Sequence, residues 1–462
     1  MPQRDQIQSA GDYDLGQVAI LGSSGHIVNI TTQIKELNIY QSIDSPFMTG
    51  NIIIDDAKGV SSILPLIGQE RLLFTFKTPS SYPIDFDTYN AVIYSIDKRF
   101  QTTNRSQVFI MSFTTLENYR NTRTKVSKSF KASPSEIVQE LLTSEDYLST
   151  KKPLFIDDTI GIMNYVAPNI RPYQVINTVM KNEAMTKENE PHFVFFENQR
   201  GIHFRSLDSM LGQGGELSMP HSRQYKFQPT NDRMDIDDSL STIISWEIED
   251  SSNTFLNGRA GMFSSTLTCH DIYNKNAEKF EYDYIEDMFK LRNSANQEYK
   301  NYGPMISESP VDGKKTLTQF PASRQFLHPK SQISNRAEMW MQESHSRRLE
   351  REFFTIKLEI FGDTNVMCGD LIDIVIPSNR ELTAGDVDTY PDPILSGRYL
   401  ITKLAHQINH PSQEHSMVLT AMKDSVKSSL ITDREIQYPN EKVGKRDIGL
   451  VEEKRLLQQK TR

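Results

Sequence analysis

The segment Phe353–Pro377 constrains the fold more than any other part of the sequence. From Phe354 to Ile360 apolar and polar residues alternate, which places one kind of side chain on each face of a pleated strand. Turn-forming residues follow at Phe361–Asn365, and Pro377 ends a second alternating run. In chain order the predicted strands are Phe354–Ile360, Ile372–Ile376, Tyr399–Leu404 and His415–Met422. Four short strands in antiparallel order predict most of a small β-barrel or β-sandwich.

Length, charge and cysteine content narrow the class of protein. The chain has 462 residues, enough for two to four domains, because one hydrophobic core rarely grows beyond about 250 to 300 residues. A net charge of −9 argues against binding nucleic acid by phosphate neutralisation. Cys269 and Cys368 lack a metal-binding spacing and are predicted to be reduced, buried thiols. The sequence shows neither an apolar leader nor a run of about 18 apolar residues, so we expect a soluble protein made in a cytoplasm.

The first half of the chain divides into an all-β region and an α+β region. Short strands separated by glycine, proline and serine predict a β-domain from Leu15 to about Lys131. At Ser133 a capping serine, a following proline and Glu136 predict the start of a helix. A second helix is predicted after Pro172, and His192–Ser206 has the pattern of a β-hairpin.

Strand patterns return in the second half and are interrupted once. Ser241–Glu249 and Gly261–His270 predict strands, Asp283–Asn301 predicts a polar helix, and Asn335–Glu352 predicts a charged helix that leads into the strand at Phe353. The fold class is therefore mainly β with an α+β insertion. The predicted regions are a first β-barrel (1–131), the α+β insertion (132–215), the first part of a second β-barrel (216–282), a helical and loop excursion (283–352), the rest of the second barrel (353–430) and a charged tail (431–462).

Two segments share a pattern that predicts a duplicated β-domain. They are Phe47–Gly50, before the predicted strand Asn51–Asp55, and Phe255–Gly258, before the predicted strand Ser264–Asp271. Each Phe-x-x-Gly segment follows a polar loop, and each loop follows a strand of similar character. Such self-similarity predicts one β-domain present twice, with the α+β region between the copies.

Four glycines stand at predicted strand starts or turns. They are Gly50, Gly258, Gly369 and Gly397. Backbone geometry or close packing explains a glycine at such a position better than ligand binding does. We therefore interpret these glycines, with Phe47 and Phe255, as structural turn or barrel positions.

Across most of Leu15–Asp424 the sequence resembles the central baseplate hub proteins of T4-like contractile-tailed phages. That fold is shared with the N-terminal part of type VI secretion spike proteins. The resemblance is carried by Ser42–Asp56, Pro172–Ser206, the Phe-Leu-Asn-Gly segment at Phe255, Gly362–Pro377 and Ser396–Ile408.

The resemblance implies an assembly role in the tail baseplate of a virion put together in the host cytoplasm. Hub proteins of this family have two tail-tube-like antiparallel β-barrel domains per chain and form a homotrimer, so six similar barrels surround a pore. The implied partners are a cell-puncturing spike protein and a tail tube or tube-initiator protein, with a tape measure protein and other baseplate proteins as further contacts. Genomic DNA would only pass through, because an acidic wall repels it. The resemblance implies no cofactor and no small-molecule substrate.

Patterns of catalytic or metal-binding residues favour structural explanations. His406, His410 and His415 form the closest group of histidines, but Gln407 and Pro411 are incompatible with a helical zinc motif. A polar hairpin corner is predicted there instead.

Clusters of carboxylates lead to the same result. Asp232–Asp238 lacks the glycine and glutamate of a calcium loop, which favours a solvated linker. Asp157 and Asp158, or Glu247 and Glu249, lie too close along one strand to flank a sugar as glycosidase carboxylates do. We therefore predict no catalytic, cofactor-binding or metal-binding residues.

Two alternatives to a phage hub stay open at this point. One is a β-rich tail-associated enzyme, a cell-wall hydrolase or depolymerase. The other is the hub of a related injection or secretion spike. A stable trimer without lytic activity favours a hub, whereas a monomer that clears a cell-wall substrate favours the enzyme.

Overall fold

A computed structural model describes most of the chain up to Val426. The described residues are 7, 9–22, 25–57, 59–60, 64, 67–103, 106–187, 190–211, 221–228, 235–250, 254–271, 275–283, 299–300, 319–323, 337–351, 354–378, 391–392 and 394–426. All of them belong to one compact unit, Met1–Lys427. The helix predicted at Asp283–Asn301 and the charged tail lie almost wholly outside the described residues.

Short strands build the N-terminal region, as the sequence predicts. They are β1 (Asp14–Leu15), β2 (Ala19–Leu21), β3 (Ile27–Asn29), β4 (Ile34–Ser42), β5 (Thr49–Asp56), β6 (Arg71–Leu73), β7 (Thr75–Lys77), β8 (Ile84–Asp85), β9 (Ala91–Thr103) and β10 (Ser106–Thr115). A 3₁₀ turn, Thr31–Gln33, precedes β4, and a short helix α1 (Phe86–Tyr89) precedes β9. In β5 every second residue is buried, which is the alternation that a strand with one core face requires.

The middle region contains two small sheets and the helices that the sequence predicts. Its elements are α2 (Leu116–Arg123), β11 (Ser129–Ala132), α3 (Pro134–Thr143), β12 (Leu154–Ile156), β13 (Met163–Val166), α4 (Pro172–Val175), the π-helical turn Ile176–Met180, α5 (Lys181–Glu183), β14 (Phe193–Asn198), β15 (Gly201–Ser206) and α6 (Leu207–Leu211). Helix α3 begins with the predicted capping box of Ser133 and Glu136. The hairpin β14–β15 is fully buried, because β12 and both neighbouring regions surround it.

The C-terminal region resumes the strands and carries an excursion between two of them. It contains β16 (His221–Lys226), α7 (Ile236–Leu240), β17 (Ile243–Asp250), α8 (Thr254–Arg259), β18 (Ser264–Asp271), β19 (Asn276–Asp283), β20 (Tyr299–Lys300), β21 (Gln319–Ser323), α9 (Ala337–Arg351), β22 (Phe354–Phe361), β23 (Leu371–Val375), β24 (Gly397–Asn409), β25 (Glu414–Lys423) and β26 (Ser425–Val426). Strands β18, β19 and β21 form a separate three-stranded sheet. The predicted charged helix is α9.

Two groups of six strands have the same order in space. In the first module the order is β4-β5-β10-β9-β6-β2, and in the second it is β17-β22-β25-β24-β23-β16. If the six strands of each group are numbered 1 to 6 along the chain, both groups have the spatial order 2-3-6-5-4-1. The lengths also match: β9 and β24 have 13 residues each, β10 and β25 have 10 each, and β5 and β22 have 8 each. We call these groups the first and second modules.

The modules differ at one pairing. Strand β2 is antiparallel to β6, whereas β16 is parallel to β23. The long connection from the middle region therefore delivers β16 to the sheet from the opposite end. Pairing of β4 with β24 joins the two modules into one 13-stranded sheet.

Separate hydrophobic clusters support the three regions. One cluster contains Phe74 and Phe113 in the first module, a second contains Phe195 and Phe204 in the middle region, and a third contains Tyr399 in the second module. The prediction of a mainly β fold with an α+β insertion is confirmed. The region boundaries stay a prediction.

Candidate assembly interface

The joint between the modules is a continuous backbone ladder. Residues 36–42 of β4 pair antiparallel with residues 403–409 of β24. The ladder extends beyond both strands, since the amide of Ile43 donates to the carbonyl of Thr402 (2.9 Å) and that of His410 to Lys35 (3.0 Å). The joint thus satisfies the backbone groups of β4 that would otherwise form an exposed edge.

On the edge that faces away from β25, β24 pairs with two strands. The corresponding edge of its counterpart β9 pairs with one strand. Residues 397–400 of β24 pair with β23, and the second half pairs with β4. In β9, Ala91 and Val92 pair with β6. Within the described part of the chain, the second half of β9 pairs with β10 alone. It therefore leaves an open edge where β24 holds β4.

The counterpart of β4 is the second open edge. Strand β17 pairs with β22 and with no other strand among the described residues. Glu247 and Glu249 of β17 are exposed, and so are Lys98 and Arg99 in the second half of β9. The β17 edge thus carries acidic residues, and the β9 edge carries two basic residues beside the exposed Asp97.

A buried ion triad of the middle region is in contact with the first module through Thr115 and Met48. Lys152 Nζ lies 2.7 Å from Glu117 Oε2 and 2.5 Å from Glu197 Oε1, and all three side chains are at most 4% exposed. Glu197 also accepts a hydrogen bond from the Thr115 hydroxyl at the end of β10 (3.0 Å). The backbone amide of Met48 points at the same carboxylate (3.4 Å).

Burial and the ion pairs act in opposite directions on the pKa values of this triad. Desolvation raises the pKa of Glu197, and the nearby Lys152 ammonium only partly offsets that shift. Desolvation alone would lower the pKa of Lys152, but the two carboxylates outweigh it and the pKa is raised. The lysine therefore stays charged, and the three groups form an interdependent unit.

Amide and hydroxyl groups fasten the middle hairpin to the second module. The Gln41 side-chain amide donates to Gln199 (2.8 Å), and Gln199 in turn donates to the Thr364 carbonyl. Asn198 donates to the carbonyl of Cys368 (3.0 Å). One turn of the second module, residues 363–370, is therefore held by both β4 and the hairpin.

A carboxylate in the same turn is shifted toward neutrality. Burial raises the pKa of Asp370 to about 7, although Arg200 Nη1 lies 3.4 Å from its Oδ1. Its other oxygen accepts from the amide of Met367 (3.2 Å). Asp370 thus caps the turn that leads into β23.

Helix α9 is anchored to the middle region by a second buried group of charges. Arg347 forms ion pairs with Asp208 of α6 and with Glu350 at 2.5 Å, and all three side chains are at most 6% exposed. Arg351 reaches Asp44 in the loop after β4 (2.9 Å). This ion pair connects the excursion of the second module, through α9, to the loop that follows β4 in the first module.

Four of the predicted structural positions lie in a loop, in a turn or near a strand start. Phe47 lies in the loop before β5 and stacks on Tyr173 of the middle region, with ring centroids 6.3 Å apart. Gly50 is the second residue of β5, where an added Cβ would lie 2.3 Å from Phe113 Cζ. Gly369 (φ +91°) forms a turn, and Gly397 (φ +136°) begins β24. All are explained by backbone conformation or close packing.

Phe255 and Gly258 do not have the surroundings that the sequence predicted. Both lie on helix α8, not at a strand start, and Phe255 is 88% exposed. The following strand, β18, lies in the separate sheet, so the counterpart of β5 is β22. The repeat of strand order is real, but the Phe-x-x-Gly segments do not mark it, because the excursion 254–351 intervenes between β17 and β22.

The histidine group also differs from its prediction. His406 and His415 are buried, with Nδ1 of the first 3.1 Å from Nε2 of the second, and only His410 lies at the corner. Both buried rings contact Phe76 edge-on. Burial lowers the pKa of His406 to about 3. The alternation of β24 and β25 could have indicated this, since both residues fall on core-facing positions.

The remaining polar motifs are dispersed in the structure. Asp157 is buried against Arg205 (3.3 Å), whereas Asp158 points to solvent, and Asp237 and Asp238 lie in the first turn of α7. Cys269 and Cys368 are buried and outside any disulfide, as predicted. Among the described residues no three metal-binding side chains converge, and no described helix is long and apolar enough to span a membrane.

Comparison with known proteins agrees with the architecture. The chain is 22% identical over 418 residues to the probable baseplate hub protein gp334 of Vibrio phage KVP40, covering 87% of this chain and 92% of that protein. No protein-family model matches the chain.

Solved structures show a similar fold. The tail protein from Neisseria meningitidis MC58 superimposes with a TM-score of 0.50 at 11% identity, over 89% of this chain and 97% of that one. A 43 kDa tail protein of prophage MuSo2 from Shewanella oneidensis gives a TM-score of 0.48 at 7% identity, over 88% and 98%. The resemblance predicted from the sequence is confirmed as a likeness: over most of its length the chain is similar to a baseplate hub protein of a T4-like phage.

Proposed function

We propose that three copies of this chain form the hub of a contractile-tail baseplate. The ring would adapt a sixfold tail tube on one face to a threefold cell-puncturing spike on the other, and would line the channel for DNA. It would perform no catalysis of its own.

The repeated strand order carries this proposal. One chain contributes two modules with the same order of six strands, joined edge to edge. Three chains in cyclic symmetry therefore present six similar modules around an axis. The sheets of such a ring would have approximate sixfold symmetry, and its excursions would have threefold symmetry. A protein that connects a sixfold tube to a threefold spike needs both symmetries.

The joint inside the chain indicates how copies join. The open half of β9 is the counterpart of the half of β24 that holds β4, and the open edge β17 is the counterpart of β4. Pairing β17 of one copy with β9 of the next would repeat the internal joint at each subunit boundary and leave no open edge there. Glu247 and Glu249 would face Lys98 and Arg99.

The proposed partners follow from this geometry. One face of the ring would meet a tail tube or tube-initiator protein, and the other would meet the spike protein, with tape measure and other baseplate proteins as further contacts. A net charge of −9 is compatible with a wall that lets DNA slide past.

Light scattering of the purified protein tests the proposal. We expect a mass three times the 53.0 kDa of one chain and no clearing of a cell-wall substrate. A monomer that lyses cell walls would contradict the hub function and favour a tail-associated enzyme.

Charge reversal tests the joint between copies. The variant Glu247→Lys/Glu249→Lys should lose the trimer, whereas Glu145→Lys/Asp146→Lys, an equal change of charge on exposed residues of the middle region, should keep it. Adding Lys98→Glu/Arg99→Glu to the first variant in the same chain should restore the trimer. Mixing Glu247→Lys/Glu249→Lys with a separate chain that carries only Lys98→Glu/Arg99→Glu should not restore the trimer. The two kinds of subunit would have to alternate around the ring, and a ring of three cannot do that.

A further inference from the structure

Helix α8 carries an apolar surface that the described part of its own chain leaves exposed. Phe255 and Leu256 on this helix are 88% and 58% exposed. Large apolar side chains exposed side by side mark interaction sites more often than ordinary surface.

The first module has a second exposed apolar patch. Tyr94 of β9 is 54% exposed and Ile67 is 67% exposed. Gly68, the residue after Ile67, lies beside the backbone of Tyr94, since an added Cβ at Gly68 would be 3.3 Å from the carbonyl oxygen of Tyr94. Tyr94 follows the residues of β9 that pair with β6, and the open edge of β9 lies beyond it.

The second module shows what covers the counterpart of this patch. Tyr94 is the unpaired residue of a bulge between Ile93 and Ser95 of β9, and Thr402 has the same place between Ile401 and Lys403 of β24. Thr402 is only 8% exposed, and its carbonyl accepts a hydrogen bond from the amide of Ile43, the residue that directly follows β4 (2.9 Å). The segment that leaves β4 thus helps to cover β24 beyond the ladder.

We propose that α8 of one copy packs on Tyr94 and Ile67 of the next copy. This rests on the proposed trimer, in which β17 pairs with the neighbour's β9. Helix α8 is the first described element after β17, as Ile43 is the first residue after β4. It would therefore reach the neighbour's Tyr94 as Ile43 reaches Thr402. The occupant of the Tyr94 patch is thus a second copy of this chain.

Site-specific cross-linking tests the contact in the full-length chain. Phe255→Cys with Tyr94→Cys, treated with a short bismaleimide, should give covalent species up to three chains. Phe255→Cys with Tyr82→Cys, which places the second thiol at an exposed site of the first module away from β9, should stay a single chain. The two native cysteines are buried and serve as an internal background.

Maleimide labelling and dissociation give independent readouts. Thiol labelling of Phe255→Cys should be several-fold slower in the trimer than in the monomeric Glu247→Lys/Glu249→Lys background. Phe255→Ser should raise the concentration of half-dissociation by about 10-fold or more, as for an aromatic anchor at an interface. A trimer in which the thiol introduced at position 255 is neither linked to the thiol at position 94 nor protected from labelling would overturn this contact and leave the hub function intact. A protein that forms no trimer would overturn both.

Discussion

The two modules share one strand order but not one environment. The edge of β4 is paired with β24, and the loop after it is packed against the middle region through Phe47. The edge of β17 is open among the described residues, and the helix after it exposes Phe255. The comparison teaches that a duplicated sheet in one chain can have one closed and one open joint. The closed joint is then a template for the surface that another copy would fill.

We expect the largest loss of stability from removing the ammonium of Lys152, which lies where the middle region contacts the first module. Lys152→Met would leave the buried carboxylates of Glu117 and Glu197 without a counter-charge near the boundary of the first module and the middle region. We expect a loss of about 3–5 kcal/mol in the free energy of unfolding, the usual cost of breaking a buried ion pair from one side. Urea denaturation of the variant and wild type measures it.

A matched variant separates charge from packing in that triad. The triple change Lys152→Met/Glu117→Leu/Glu197→Leu removes all three charges together and should recover most of the loss, because no unpaired charge is left buried. If the triple variant is as unstable as Lys152→Met, packing and not charge holds this boundary.

Local patterns predicted the strands and caps, but not the partners of the strands. The alternation from Phe354 to Ile360 and the capping box at Ser133 are properties of a few adjacent residues, and both are confirmed. Phe47 and Phe255 look alike over four residues, yet which strand follows them depends on an excursion of about a hundred residues. A short motif has no information on that tertiary arrangement.

The triad and the histidine pair escaped the sequence for a related reason. Lys152 and Glu197 are 45 residues apart and carry no periodic signal, so only the fold brings them together. His406, His410 and His415 are close together in the sequence and are therefore predicted together at a hairpin corner. Only His410 lies there, whereas His406 and His415 are in the core. Alternation along β24 and β25 was the better guide.

Two glycines that the sequence treated as equivalent sharpen the comparison. A side chain at Gly50 would meet Phe113 Cζ at 2.3 Å and the carbonyl oxygen of Asn38 at 2.5 Å, and the latter is backbone that cannot rotate away. Gly50→Ala should therefore cost about 1–3 kcal/mol of stability by overpacking. Thermal and urea unfolding measure the change.

Gly258 is the control for this substitution. A Cβ at Gly258 would have its nearest neighbour, Phe263, at 3.9 Å, and the residue lies in helix α8. Gly258→Ala should be neutral or stabilise by up to about 1 kcal/mol, because alanine favours a helix over glycine. Equal destabilisation by both variants would show that the two segments have like surroundings after all.

Acid gives the most specific test of the closed joint, through the buried pair His406 and His415. Burial lowers the pKa of both rings, that of His406 to about 3, against about 6.5 in an unfolded chain. Between these values the unfolded state binds a proton at His406 that the folded state does not. Stability should therefore fall as the pH decreases from 6.5 toward 3, by up to about 1.4 kcal/mol per pH unit for one such group.

The variant His406→Gln isolates this contribution because glutamine is polar and does not titrate. The slope of unfolding free energy against pH should become shallower by up to one proton between pH 6 and 4, whereas His26→Gln, at an exposed site, should leave the slope unchanged. An unchanged slope for His406→Gln would mean that the ring is not held neutral. The rings pack on Phe76 beneath the β4–β24 ladder. Their protonation would therefore destabilise the joint inside the chain and not the β17 edge. Acid should thus weaken the closed joint of each chain before it affects the proposed boundary between copies.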